Sequence, residues 1–294
     1  MIVFDSMTID KPYAGMLQRA GLSSVAEVLY REGDQLAAWS RTTDVIRCDP
    51  EGDATSVYVK RYHYPRWRHR FKAMFRGTLF RRSRARSEYH ALRLMRRLGI
   101  QAVRPVAFGE RRILFFVRSC FLITESVPDA MPLSAFIQKF GAHRGTPRSI
   151  EIRREILVSL ARQVRHMHDA GFVHRDLFWR NVLIRCLPGD RFEFYFLDAS
   201  VGRWIRMRRR RDDSIVADLA AMGAAAPHFC SKADQLRFLL EYLGVKTLDP
   251  ENRAWLRRVQ TQSDLLRPNE LERLRRGRVF SEPQAETLAV DQAT

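Results

Sequence analysis

Apolar residues in this chain follow two different periods, and the switches between them mark out its elements. Ile152, Ile156, Leu157, Leu160, Val164 and Met167 recur at helical spacing, which predicts a helix over Glu151 to Gly171 with Gly171 as its stop. Val182 to Leu187 and Phe192 to Leu197 are short apolar-rich runs on either side of Pro188-Gly189-Asp190, the pattern of a hairpin. Upstream, Ser56-Val57-Tyr58-Val59-Lys60 predicts a strand that ends in lysine. Glu88, Ala91, Leu92, Met95 and Leu98 predict a helix after it. Val106 to Phe108 and Leu122 to Thr124 read as further strands, and Glu125-Ser126-Val127-Pro128 as a hinge. Ile215, Leu219 and Met222 mark another helix, which carries Asp218. Strands with one major helix come first and helices dominate afterwards, which is an α+β chain.

The chemistry sits between the first of these helices and the hairpin. His174 to Asn181 reads HRDLFWRN, and Asp198 follows seventeen residues later. In a hairpin with two equal arms, the residue before the first strand lies beside the residue after the second, so Asn181 and Asp198 should meet at its open end. H-R-D-x-x-x-x-N is the spacing of a kinase catalytic loop, in which the Asp accepts a hydroxyl proton and the Asn binds magnesium. A lone HRD tripeptide would be chance. Here the order helix, loop, hairpin and Asp is reproduced along with the letters. Lys60 then matches the lysine of the strand that contacts the nucleotide phosphates. Its carboxylate partner should be Glu88, the one acidic residue between Arg61 and Arg97. The fold expected is protein-kinase-like and two-lobed, with a small, mainly β N-lobe and a larger, mainly α C-lobe. Residues 1–27 would be an extension packed on the N-lobe, 28–125 the nucleotide-binding N-lobe, 126–280 the C-lobe with the catalytic, metal and acceptor sites, and 281–294 a disordered tail.

Two features separate the chain from kinases that act on peptides. DFG is replaced by Asp198-Ala199-Ser200, and Asp218 comes only 20 residues after Asp198 with no A-P-E between them. That leaves little room for a segment that holds an extended peptide. The glycine-rich cover over the phosphates is also missing, since Gly33 and Gly52 are the only glycines between Val28 and Lys60. The acceptor expected is a small molecule or a glycolipid.

At this point the chain resembles the lipopolysaccharide core kinases of the Kdo/WaaP type, from roughly Leu22 to Gly244. The likeness is carried by VYVKRY at 57–62, SEYHALRLMRRLGIQAVRPVAFGE at 87–110 and LITESVP at 122–128. It continues in HRDLFWRNVLI at 174–184, FLDAS at 196–200, ADLAAM at 217–222 and LRFLLEYLG at 236–244. The resemblance implies ATP-dependent phosphorylation of a heptose or Kdo hydroxyl in the inner core of lipopolysaccharide, on the cytoplasmic face of the inner membrane. Carried over position by position, it makes Lys60 and Glu88 the nucleotide pair, with Glu125 of the hinge also at the nucleotide. Asp176 becomes the catalytic base, Asn181 and Asp198 the Mg2+ ligands, and Asp218 with His174 the brace of the loop.

Charge points to an anionic partner independently. The net charge is +18. Lys60 to Arg97 holds fourteen Lys and Arg against Glu88 alone, and Arg203, Arg206, Arg208, Arg209, Arg210 and Arg211 form a second block without an acid. The rest of the chain is close to neutral. Fields this concentrated draw in anionic ligands, and the second block follows Asp198 directly, so those six arginines are the expected acceptor-binding set. Trp67, Phe71, Phe75 and Leu79 recur every four residues inside the first block. Such a stripe suits either an interfacial helix on an anionic bilayer or packing against the N-lobe. No nucleic-acid module is visible, and no nucleic-acid partner is expected.

At 294 residues and 46% hydrophobic, the chain can bury one such core with little left over. The first residues lack a signal-peptide pattern, and no apolar run is long enough to span a bilayer, so a cytoplasmic, peripherally membrane-associated protein is expected. Cys48, Cys120, Cys186 and Cys230 have no paired spacing and read as free thiols, and His166 and His168 as structural. Three alternatives remain: an antibiotic phosphotransferase, whose cationic acceptors suit an acidic cleft better; a protein kinase; and a non-catalytic scaffold binding anionic lipid.

Overall fold

The computed structural model describes residues 3–31, 35–39, 43–50, 52, 55–64, 82–113, 116–140 and 147–275. The aromatic stripe at Trp67, Phe71, Phe75 and Leu79 and the tail at 281–294 lie outside the described residues, as do the side chains of Arg208, Arg209 and Arg210.

Strands dominate the N-terminal part. After β1 (Val3–Ile9) come two short helices, α1 (Ala14–Arg19) and α2 (Val25–Tyr30). Then follow β2 (Gln35–Trp39), β3 (Thr43–Cys48), β4 (Val57–His63), α3 (Arg84–Arg97), β5 (Pro105–Ile113) and β6 (Phe116–Glu125). The six strands form one antiparallel sheet in the order β1-β5-β6-β4-β3-β2. Side chains alternate across it, as the pleat requires. Val57, Val59, Phe121 and Ile123 are fully buried against Leu17, Leu22, Val25 and Val28 of the α1–α2 layer. Tyr62, Cys120 and Leu122 face the other way, against Ala85, Tyr89, Leu92 and Met95 of α3. A slip of one residue in β4 would reverse both sets. Each large apolar side chain buried here contributes roughly 1.5–3 kcal/mol, so the register is firmly held. Lys60, of the same parity as Tyr62, is thereby aimed at α3.

Three strands run further than their apolar runs suggest. β4 continues to His63, so Lys60 lies in its middle rather than at its end. The extension is polar and is held across the sheet: Arg61 Nε donates to Asp44 Oδ2 at 2.6 Å, and the His63 ring meets Asp44 Oδ1 at 3.0 Å. β5 is lengthened in the same way, with Arg111 donating to Asp5 of β1 at 2.7 and 2.8 Å, and β6 pairs along this extension from Phe116 onward. Glu125 is consequently the last residue of β6, paired with Val57, and the connecting segment begins at Ser126.

Helices dominate the C-terminal part. β7 (Ala130–Pro132), α4 (Leu133–Phe140), α5 (Pro147–Asp169) and β8 (Phe172–Val173) lead to the hairpin β9 (Val182–Leu187) and β10 (Arg191–Phe196). β11 (Arg203–Trp204), α6 (Arg208–Phe229), α7 (Lys232–Leu243) and α8 (Pro250–Arg275) complete the described chain. The α5 helix starts four residues before Glu151 and stops at Gly171, whose φ of 82° suits glycine. A Cβ there would stand 2.7 Å from the Trp204 indole, which donates to the carbonyl of Ala170. The two parts share one core. Val103 N–H donates to the Phe196 carbonyl at 3.0 Å and Phe196 N–H to Gln101 at 3.1 Å, stitching the turn after α3 onto β10. Among the described residues no helix is long and apolar enough to cross a membrane.

Candidate active site

Lys60 projects from the middle of β4 onto the α3 face of the sheet. Its Nζ lies 3.4 Å from both carboxylate oxygens of Glu88 and 2.9 Å from Asp198 Oδ1. Glu88 is 3% exposed and also accepts from the Tyr62 hydroxyl at 2.8 Å. The α3 helix that delivers it is capped by Ser83, whose hydroxyl accepts from Arg86 N–H. Burial pushes the Lys60 ammonium toward its neutral form, but the Glu88 and Asp198 carboxylates outweigh that and hold its pKa above the usual lysine value. Burial raises the Glu88 pKa, and Lys60 only partly offsets it. Asp198 is partly buried, which would raise its pKa, yet Lys60 draws it below the usual aspartate value. One ammonium therefore serves two carboxylates from distant parts of the chain.

The loop after β8 is held from beneath by Asp218 of α6, which is 0% exposed. Its Oδ2 accepts from His174 N–H at 2.7 Å and its Oδ1 from Arg175 N–H at 2.6 Å. His168, buried and bonded to the Tyr242 hydroxyl, approaches Oδ2 at 3.3 Å. A buried carboxylate that satisfies two otherwise orphaned donors fixes the loop backbone. That fixing is needed, because Arg175 has a φ of 65° and Asp198 a φ of 58°, a region non-glycine residues rarely occupy. The His174 ring donates from Nε2 to the Leu197 carbonyl at 2.9 Å, tying the loop to the end of the hairpin.

The hairpin register pairs Val182 with Phe196, so Asn181 and Asp198 flank its open end, and Leu197 N–H donates to the Asn181 carbonyl at 3.1 Å. The Asn181 amide nitrogen donates to the Asp176 carbonyl at 2.8 Å and to Asp176 Oδ2 at 3.0 Å. Those two acceptors fix the amide orientation and leave its oxygen turned away from Asp176. Asn181 Oδ1 and the Asp198 carboxylate are hard oxygen donors, suited to Mg2+, which takes one or two protein ligands beside phosphate and water.

Other candidate residues stand elsewhere. The Glu125 carboxylate is occupied by the Tyr13 hydroxyl at 2.7 Å and Arg104 Nε at 3.3 Å, so its side chain is turned to the N-terminal segment. Burial and that carboxylate push the Tyr13 pKa up to about 12. Arg203 and Trp204 pair with Val173 and Phe172 just ahead of the loop, Arg206 is exposed, and Arg208 to Arg211 form the first turn of α6. Two contacts beside Asp176 have no counterpart in the sequence reading. Arg180 reaches Asp176 Oδ1 at 3.4 Å, and Glu270 of α8 holds Arg180 at 2.5 Å. Arg180 was visible inside the motif, but a partner 90 residues away gives no local signal.

A sheet-rich first part, a helical second part and this loop-and-hairpin arrangement define the kinase-like class of folds. The chain belongs to the lipopolysaccharide kinase (Kdo/WaaP) family, whose family model matches residues 34–242. It is 26% identical over 165 residues to the lipopolysaccharide core heptose(I) kinase WaaP of Escherichia coli K12, covering 54% of this chain and 59% of that protein. The Pseudomonas aeruginosa protein of the same description is 29% identical over 164 residues, with the same coverage. A 3-deoxy-D-manno-octulosonic acid kinase of Vibrio cholerae is 31% identical over 107 residues, 36% of this chain and 41% of that one. The chain thus matches 59% of the length of the two WaaP proteins and 41% of the Vibrio kinase. A solved structure described as WaaP in complex with acyl carrier protein superposes with a TM-score of 0.61 at 20% identity, over 89% of this chain and 99% of that one. At that identity the likeness concerns the fold alone.

Proposed function

We propose that the chain is a two-lobed, ATP-dependent kinase that phosphorylates a heptose or Kdo hydroxyl of the lipopolysaccharide inner core, or of a related envelope glycolipid. It would work at the cytoplasmic face of the inner membrane. The observation that carries this reading is the meeting of Lys60, Glu88 and Asp198 at one end of the hairpin whose other neighbour, Asn181, is bonded to Asp176. Family membership and the named activities of the relatives support the sugar as acceptor.

In this mechanism Asp176 accepts the hydroxyl proton as the acceptor oxygen bonds to the γ-phosphorus of ATP, and the bond from that phosphorus to the β-phosphate oxygen breaks to release ADP. Lys60, held by Glu88, fixes the phosphates and balances charge as it builds on them. Magnesium, held by Asn181 and Asp198, would neutralise further charge on the phosphate oxygens. With its carboxylate occupied, Glu125 would serve the nucleotide through its backbone. Residues 28–125 would form the nucleotide lobe, 126–280 the acceptor lobe, and 1–27 a cover on the first.

Lipopolysaccharide from a strain lacking the protein, compared by mass spectrometry with its parent, should lack one core phosphate. Restoring the gene should return that phosphate, and Asp176→Asn should not. An unchanged phosphate count would dismiss the reading, and restoration by Asp176→Asn would remove Asp176 from its role.

A further inference from the structure

Arg180 lies in the short 3-10 turn Trp179–Asn181, four residues after Asp176 and one before Asn181. Its guanidinium is held on three sides. Nη1 donates to Glu270 Oε2 at 2.5 Å, Nη2 stands 3.4 Å from Asp176 Oδ1, and the planar head lies over the Phe178 ring, 4.0 Å from its centroid. Glu270 is 3% exposed on α8. A carboxylate so buried is costly unless paired, and Arg180 is the cation it meets. A bridge serving only to anchor α8 would enclose both partners. Instead a quarter of the Arg180 side chain remains exposed, beside an Asp176 that is itself 35% exposed. Arg180 is thus held at a buried carboxylate on one side and stands, only partly covered, beside the partly open Asp176 on the other.

Resting on the kinase reading above, we propose that Arg180 is a catalytic residue: its guanidinium contacts the phosphoryl group as it passes to the acceptor oxygen, and Glu270 is the positioning residue that aims it. Lys60 approaches from the sheet, with Asp198 as its neighbour. Arg180 supplies a second fixed cation from the loop side, adjacent to Asp176. A planar donor that cannot lose its proton suits phosphate oxygens. A chain without a glycine-rich cover over the phosphates has particular use for such a group. The π-contact with Phe178 and the bond to Glu270 order the side chain before substrate arrives, so little entropy is lost as it acts.

The experiment uses the full chain with ATP, Mg2+ and purified lipopolysaccharide. Arg180→Ala alone would strand the buried Glu270, so Arg180→Ala is combined with Glu270→Gln, and Arg180→Lys is tested beside it. The double variant should keep its thermal midpoint and both KM values within about threefold while kcat falls about 10²-fold, the scale for one transition-state donor. Arg180→Lys should retain more of kcat. Millimolar guanidinium should restore the double variant and leave the parent unaffected, which a purely structural bridge would not produce. A kcat within threefold of the parent, or a loss that guanidinium fails to rescue, overturns the proposal while leaving the kinase reading standing. A folded parent that transfers no phosphate overturns both.

Discussion

Lys60 has two carboxylates to one ammonium, and that imbalance sets how the site responds to pH. Lys60→Met would leave Glu88 and Asp198 facing each other in a largely buried setting. Near neutral pH the loss of stability should be about 3 kcal/mol, the low end for breaking a buried pair because Asp198 is a quarter exposed. The sign with pH follows from the shifts. Glu88, with its pKa raised, favours the folded state increasingly as it takes up a proton, whereas Asp198, with its pKa lowered by Lys60, gives up a stabilising interaction on protonation. Removing Lys60 abolishes the second effect and strengthens the first. The deficit against the parent should therefore shrink as pH falls from neutrality through the carboxylate range. Urea unfolding of both proteins at several pH values measures it, and a constant difference would mean that the three groups are not electrically linked. At this scale the sequence was most informative where contacts are short in chain distance or mirrored across a hairpin, as for Asp176, Asn181 and Asp198. It was silent on Tyr13 with Glu125, 112 residues apart, and on Arg180 with Glu270, since neither pair shares an element or a period.

Hydrophobic period located the interior of each element but not its ends. β9 was readable to the residue because a turn closes it at Pro188 and a polar loop precedes it. β4 and β5 ran on through Arg61, His63 and Arg111, where cross-strand contacts to Asp44 and Asp5 do the work that apolar burial does elsewhere, and β6 ran on as the partner of β5. The α6 helix begins at Arg208, a full two turns before Ile215, because its first turns carry charges and no apolar face. Its most consequential residue is the fully buried Asp218. Asp218→Ala should strand the N–H groups of His174 and Arg175 and destabilise the chain by about 2–6 kcal/mol, each orphaned donor costing roughly 1–3. It should also release Arg175 from its left-handed backbone. Asp218→Asn, which keeps one acceptor, should lose less. Hydrogen exchange reads the local effect directly: the His174 and Arg175 amides should lose protection in the alanine variant before the β9–β10 hairpin does. Protection lost everywhere at once would mean that Asp218 supports the whole helical part and not the loop in particular.

Across the whole molecule, charge is distributed more unevenly than burial requires. A net +18 concentrated in two blocks costs self-repulsion, and among the described residues the fold engages part of the first block, Lys60, Arg61, Arg93 and Arg96 included. Arg206 and the first turn of α6 follow shortly after Asp198 and Trp204, which places the second block on the chain leaving the proposed metal ligand Asp198. Replacing Arg206, Arg208, Arg209, Arg210 and Arg211 with Gln should raise the acceptor KM by at least about tenfold, a factor that the loss of only one or two charges near an anionic surface gives at about 1 kcal/mol each. ATP parameters should stay nearly unchanged. In the parent the acceptor KM should rise with salt, because exposed charges are screened over about 8 Å at physiological ionic strength. An acceptor KM indifferent to both changes would leave the block without a role in binding. The first block makes a claim that separates from this one. Trp67, Phe71 and Phe75 occur among cations, and one sequence pattern serves a bilayer interface and a packed helix equally well. Replacing all three with Ser should weaken binding to phosphatidylglycerol-containing vesicles, measured by co-sedimentation, while the thermal midpoint stays near that of the parent. Three large apolar side chains removed from a core would instead cost several kcal/mol. An unfolded triple variant would therefore assign the stripe to the interior and leave the arginines alone to bring the chain to its anionic acceptor.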